Sequence, residues 1–332
     1  MDNRLFIAKQ TSGKDTRYTY ATGRIRVLEA RMLAKAVFEK MTEADSYEGA
    51  LSILCEHPDY RQDAENLKDK SAFENLIVLQ LKRLYDIMNE LTRDSEITDI
   101  LMFKHDVDNT KVLLKKEAGY DADEVLINVG VFTIDRLKEG ITKKNFTIFK
   151  EEAFSSFFKA ACSVENAVRI DDTLEMLYLG LLQKAFAKTE SPFLLYLYGT
   201  MVDLCNIKIL LRYNRHKRGA KEIIPEGGHL AGGFFYPLFD KPDAAVLKDF
   251  FTTPYVALLH GIFESKNADA PFDKYLLSVI KEAKSFHFGI EPLVGYVYAR
   301  EYELKNVRRI LAGKIYALEG GDIRNSLQEA YV

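Results

Sequence analysis

The stretch Asp203-Leu204-Cys205-Asn206-Ile207-Lys208-Ile209-Leu210-Leu211 has two counterparts in the same chain. One is Asp106, Asn109, Lys111, Leu113 and Leu114; the other is Glu303, Asn306, Arg308, Ile310 and Leu311. In each, an acid precedes Asn by three residues, a base follows it by two, and aliphatic residues follow at four and five. The Asn positions are 97 and then 100 residues apart. Each motif also follows a second amphipathic pattern that starts near Glu74, Glu175 or Asp273, which lie 35, 31 and 33 residues before the Asn. Spacing kept across two helices indicates duplication. A period near 100 residues is too long for a solenoid unit of about 20–50. It implies three similar helical subdomains in a pseudo-threefold arrangement.

Helix geometry gives the motif a physical reading. Residues three and four apart share a face, so Asp106, Asn109 and Leu113 line up, as do Asp203, Asn206 and Leu210. An Asn on a face that continues as Leu is at least partly buried. A buried amide needs partners, so each Asn is expected to bond to a neighbouring segment and fix its register.

Working outward, the remaining chain reads as helix. Ile25, Leu28, Met32, Leu33, Ala36, Val37 and Met41 recur at three- and four-residue steps. Asp45 and Ser46 start a second helix, which His57-Pro58-Asp59 ends. Further helices are expected over 72–91, 96–116, 154–168, 173–187, 192–218, 244–251, 254–263, 272–286 and 292–318. Ile223 to Pro237, rich in Gly and Pro, reads as a loop. Val125 to Ile134 is the best strand candidate and reads equally well as a short buried helix. The fold class is therefore all-α. The expected divisions are a flexible lead-in over 1–14 and subdomains over 15–119, 120–219 and 220–332, the last beginning with the Gly/Pro loop 223–237.

Composition narrows the function. The 332 residues carry 46 Lys plus Arg and 49 Asp plus Glu, a net charge of −3. A nucleic-acid binder would need a cationic excess to displace counterions. The start, Met1-Asp2-Asn3-Arg4-Leu5, lacks the apolar segment of a leader. The stretch Phe250 to Phe263, 14 residues without Asp, Glu, Lys or Arg, falls short of the roughly 20 of a spanning helix. Cys55, Cys162 and Cys205 form no CxxC unit, which fits reduced thiols and no metal site. His57, His105, His216, His229, His260 and His287 show no paired ligand spacing. Gly13-Lys14 lacks the phosphate-loop pattern, and Gly227 to Gly233 lacks the Lys-Ser/Thr ending and reads as a flexible connector. Neither a catalytic residue nor a cofactor is indicated. The densest basic run is Arg212, Arg215, Lys217, Arg218 and Lys221. It suits the negative end of a helix dipole, and it is also the candidate contact for an acidic partner surface.

Several stretches together resemble the C subunit of V-type ATP synthases, the relative of the eukaryotic V-ATPase d subunit. They are Tyr18-Thr19-Tyr20-Ala21-Thr22-Gly23-Arg24-Ile25-Arg26 with Glu29, Tyr47 to Leu51, the three Asn motifs, Gly313-Lys314, and Leu327-Gln328-Glu329-Ala330-Tyr331-Val332. One departure is Leu54 to Tyr60, where a Thr shortly before the Tyr would fit better. The resemblance implies a funnel of three helical domains. It implies a non-catalytic, cytoplasmic subunit that joins central-stalk subunits to the membrane proteolipid ring and transmits torque for ion transport. It leaves open whether the ion is H⁺ or Na⁺, and whether ATP is made or hydrolysed. The alternatives are an unrelated helical scaffold or adaptor, and a helical enzyme with an unrecognised site.

Overall fold

The computed structural model describes residues 3–65, 67, 72–92, 95–120, 126–216, 224–264 and 269–332. Among these residues there are helices and no strands. In chain order the helices are α1 (Asn3–Thr11), α2 (Thr19–Glu29), α3 (Lys35–Glu43), α4 (Tyr47–Cys55), α5 (Pro58–Glu65), α6 (Phe73–Leu91), α7 (Ser95–Glu117), α8 (Ile134–Thr142) and α9 (Glu152–Ala161). They continue as α10 (Ile170–Lys188), α11 (Pro192–His216), α12 (Gly232–Phe235), α13 (Asp243–Asp249), α14 (Val256–Glu264), α15 (Ala270–Lys281), α16 (Glu291–Ile315) and α17 (Gly320–Ser326).

Local chemistry sets several of these limits. Ser46 caps α4 by accepting from the Gly49 amide at 3.1 Å, and Pro58 opens α5, where its missing N–H costs nothing. Thr133 caps α8. Gly119, at φ +81°, ends α7 in the left-handed conformation that glycine adopts freely. The long pattern from Ile25 to Met41 breaks into α2 and α3, because Ala34 is extended between them.

The polar N-terminal segment, expected as a loose lead-in, forms α1 and packs on α11. Leu5 and Ala8, three apart, are buried there, a stripe too short to stand out in the sequence.

The chain divides into two compact units, residues 1–11 with 94–254, and residues 12–93 with 255–332. In the first, α10 lies against α7, α9 and α11. Its core includes an aromatic cluster in which Phe149 stacks on Phe158 at 3.9 Å and Phe103 meets Phe154 at 4.5 Å between ring centroids. In the second, α16 is the central element and meets α2, α3, α4, α6, α15 and α17. Every residue from Glu291 to Arg300 on α16 is buried, as a helix with neighbours on all sides requires.

Candidate functional site

The first motif is a clasp on backbone. Asp106 and Asn109 lie on the same buried face of α7. Asn109 Nδ2 donates to the Ile127 carbonyl at 2.8 Å, and its Oδ1 accepts the Ile127 N–H at 2.9 Å. Asp106 accepts the N–H groups of Val131 and Phe132 at 2.7 and 3.4 Å. Of the expected strand 125–134, residues 126–132 form an irregular ribbon whose backbone is bonded to side chains of α7, and Ile134 already starts α8. Neither a strand nor a helix forms there, because these bonds replace a ladder. Gly130 allows the close approach, since a Cβ there would stand 2.1 Å from Asp106 Oδ1. Burial pushes the Asp106 carboxyl up to about 8, although the two N–H donors act in the opposite direction.

The second motif repeats the arrangement. Asp203, wholly buried on α11, accepts the N–H groups of His229 and Leu230 at 3.0 and 3.2 Å. Asn206 Nδ2 donates to the Pro225 carbonyl at 3.0 Å. A Cβ at Gly228 would stand 2.0 Å from Asp203 Oδ1. The His229 ring lies 4.4 Å from that of Tyr196, over Gly199, where a Cβ would meet the imidazole at 2.8 Å. The glycine-rich stretch, expected as a flexible connector, is a fitted one: the glycines let its backbone press against α11. Its end, expected as loop, contains the short α12.

In the third motif Asn306 again holds one residue twice. Its Nδ2 donates to the Gln328 carbonyl at 3.0 Å, and its Oδ1 accepts the Gln328 N–H at 2.8 Å. The acid here is longer and reaches elsewhere. Glu303 accepts the Leu33 N–H and the Tyr60 hydroxyl, each at 2.7 Å, and pairs with Arg300. Arg300 lies over the Tyr60 ring at 4.8 Å and donates to Gln80 Oε1 at 2.6 Å. Gln80 donates in turn to Asp63 at 2.7 Å. Burial pushes the Tyr60 hydroxyl up to about 12. This network ties α16 to α5, α6 and the α2–α3 turn.

The bases of the motifs join helices. Lys111 meets Glu175 of α10 at 3.1 Å, and Arg308 meets Glu74 of α6 at 2.7 Å. Burial alone would pull the Lys111 ammonium down, but Glu175 and Asp108 outweigh it and hold it above its ordinary value. Lys208 is exposed on α11. Asp273, the remaining lead-helix acid, pairs with Lys305 and accepts from Gln328 Nε2 at 2.8 Å.

The two described members of the basic run are each paired. Arg212 donates to the buried Asp172 at 2.6 Å, and Arg215 faces Asp243 at 3.5 Å. Burial raises the Asp172 carboxyl, with Arg212 opposing the shift. Lys217, Arg218 and Lys221 lie outside the described residues. Among the described residues, no group of three or more His, Cys, Asp or Glu is placed to hold a metal.

Sequence reasoning assigned no role to a second, part-buried set of polar contacts. Arg26 donates to the carbonyls of Lys284 and Phe286 at 3.0 and 2.6 Å, closing the turn after α15. It also pairs with Glu29, which accepts the Tyr331 hydroxyl at 2.9 Å. Lys284 lies over the Tyr331 ring at 4.0 Å. Lys314 donates to the Thr42 carbonyl at 2.6 Å at the end of α3. Pairing across such sequence separation leaves no periodic signal. The available sign was that Arg26, Glu29, Lys314 and Tyr331 all fall in the stretches that carried the resemblance.

The chain as a whole also aligns with known proteins. The family model for the ATP synthase (C/AC39) subunit matches residues 21–326. The C subunit of the A-type ATP synthase of Methanocaldococcus jannaschii is 26% identical, with 93% of this chain and 86% of that protein aligned. The C subunit of the V-type sodium ATPase of Enterococcus hirae is 23% identical, over 92% of this chain and 97% of that protein. The C subunit of the A-type ATP synthase of Thermococcus kodakarensis is 23% identical, over 90% and 87%. Asn109, Asn206 and Asn306 all lie within the matched span, and the chain belongs to the ATP synthase (C/AC39) subunit family.

Proposed function

We propose that this chain is the non-catalytic central-stalk subunit of a rotary A/V-type ATP synthase or ATPase. It acts as a socket between the stalk and the membrane proteolipid ring, on the cytoplasmic side and peripheral to the membrane through the complex. The observation that carries this reading is the family match over 21–326, supported by relatives named as the C subunit of such complexes. The chain's own chemistry fits a mechanical part. Its buried acids and amides are spent on gripping loops, and its lead-helix carboxylates on joining helices. Torque passes through a joint only if its loops do not yield, and the double grips on Ile127 and Gln328, with that of Asp203 on His229 and Leu230, stiffen theirs. The helix segment Pro192–Arg215 is long and apolar enough to span a membrane, but 83% of its most apolar window is buried inside the protein, as a core helix would be.

Three subdomains over 15–119, 120–219 and 220–332, derived by duplication, belong to the same proposal. The recurrence of an Asn bonded to the backbone of a downstream segment supports it. The basic run from Arg212 to Lys221 remains the candidate partner contact. Arg212 and Arg215 also brace α11 through Asp172 and Asp243.

The test is reconstitution. Tagged chain should retain stalk subunits and detergent-solubilised proteolipid ring, and omitting the chain should separate the two. Stalk and ring that stay joined without it would overturn the socket reading.

A further inference from the structure

We infer that segment 224–228 is a flap that opens from its Pro225 end while Asp203 holds its other end as a hinge. Asn109 and Asn306 each take both the N–H and the C=O of one residue, Ile127 and Gln328. Pro225 occupies the corresponding place under Asn206 and has no N–H to give. Asn206 therefore keeps a single bond of 3.0 Å, and its wholly buried Oδ1 has no hydrogen-bond partner among the described residues. A buried acceptor left unpaired is unfavourable, and lifting the flap returns it to water. That bias acts at one end only.

At the other end the grip is dense. Asp203 holds the N–H groups of His229 and Leu230 at 3.0 and 3.2 Å. Arg4 donates to the His229 carbonyl at 2.7 Å, and His229 Nε2 lies 3.0 Å from the Tyr196 carbonyl. Between the two ends, Glu226 and Gly227 are exposed, and Tyr198 donates to the Glu226 carbonyl at 3.3 Å. Gly227, at φ +97°, supplies a bend between the held and the lightly held parts. Among the described residues, bonding thus falls off from Leu230 towards Pro225. Ile224, 7% exposed, is the side chain that opening would uncover.

Thiol labelling of the full chain reads this directly. Ile224→Cys places a probe on the buried side of the flap itself, and Val129→Cys, at a residue 3% exposed in the loop clasped by Asn109, is the control. Peptide mapping separates both from the native cysteines. The probe at 224 should label at least about tenfold faster than that at 129, without the denaturant dependence of global unfolding. Adding Pro225→Ala gives Asn206 Oδ1 a donor and should slow labelling at 224 by about fivefold, the effect of one hydrogen bond. In the same samples the His229 and Leu230 amides should stay protected from hydrogen exchange. Equal labelling at 224 and 129, no response to Pro225→Ala, or exchange of His229 and Leu230 at the rate of labelling at 224 would each overturn the flap.

Discussion

The Tyr331 hydroxyl donates to Glu29 Oε1 at 2.9 Å across a sequence separation of 302 residues. Both side chains are buried, and the bond ties the last residues of the chain to α2. Burial first, then the neighbouring Glu29 carboxylate, hold the Tyr331 hydroxyl protonated far above the ordinary tyrosine range. Tyr331→Phe keeps the ring and removes the donor. It should cost about 1–3 kcal/mol, the usual penalty for a buried acceptor that loses a partner, read as a lower urea midpoint with an unchanged slope.

Gly130 and Asp106 are coupled by shape. A Cβ at Gly130 would overlap the Asp106 carboxylate at 2.1–2.5 Å. Gly130→Ala should therefore destabilise unit 1 by about 2 kcal/mol or more, as overpacking does. Asp106→Ala removes the obstacle along with the grip. The double mutant should cost less than the sum of the single changes, a coupling that urea unfolding of all four proteins would reveal.

Asp106 also gives a pH signature. Its carboxyl titrates at about 8 in the folded protein, raised by burial, against about 3.9 in an unfolded chain. The folded state holds this proton more tightly, so the contribution of Asp106 to stability falls as pH rises from about 4 to about 8. Asp106→Asn cannot titrate. The stability difference between wild type and Asp106→Asn should therefore drift against the wild type over that window, and a flat difference would show that the carboxyl ionises normally.

Glu303 joins Leu33, Tyr60 and Arg300 in the interior. Replacing it by Ala leaves Arg300 buried without its charge partner and the Leu33 N–H without an acceptor. A loss of about 3–5 kcal/mol is expected, visible as a lower melting temperature. The same substitution at Glu90, exposed and paired with Arg24 at 3.2 Å, should change stability by about 0.5 kcal/mol or less.

Charge reversal in the basic run separates bracing from docking. Arg212→Glu would face the buried Asp172 with a like charge and should cost about 1–3 kcal/mol. Arg215→Glu faces the half-exposed Asp243 and should leave the melt within about 0.5 kcal/mol. A pull-down of stalk and ring subunits by Arg215→Glu chain that matches wild type would remove Arg215 from the partner contact.

The sequence was informative wherever a rule of spacing applied. Ser46 marked the start of a helix and Pro58 its end, and the burial of Asn109, Asn206 and Asn306 followed from the aliphatic residues on their helix face. What these residues bond to was not legible. Backbone amides at 127, 229 and 328 carry no side-chain signature, so the first two of these segments read as strand or short helix and as connector, and the third carried no structural reading. The two-residue stripe of α1 was too short for a periodicity argument, and the Arg300–Glu303 network depends on residues more than 200 positions apart, Arg300 and Gln80 among them. The basic run was conspicuous as composition, yet the acids that answer Arg212 and Arg215 lie on other helices.

The interleaving of segments dictates an order of birth. Unit 1 draws on residues up to 254, whereas unit 2 combines 12–93 with 255–332. On the ribosome, α2 to α6 emerge early and wait while more than 160 residues are translated, until α16 supplies the helix they surround. During that delay Leu76, Leu84 and Met88 of α6, nearly inaccessible in the finished protein, have no core to enter. A nascent chain in this condition is a client for chaperones, so slow decoding before residue 255 should lower the yield of soluble protein more than slow decoding after α16 is complete.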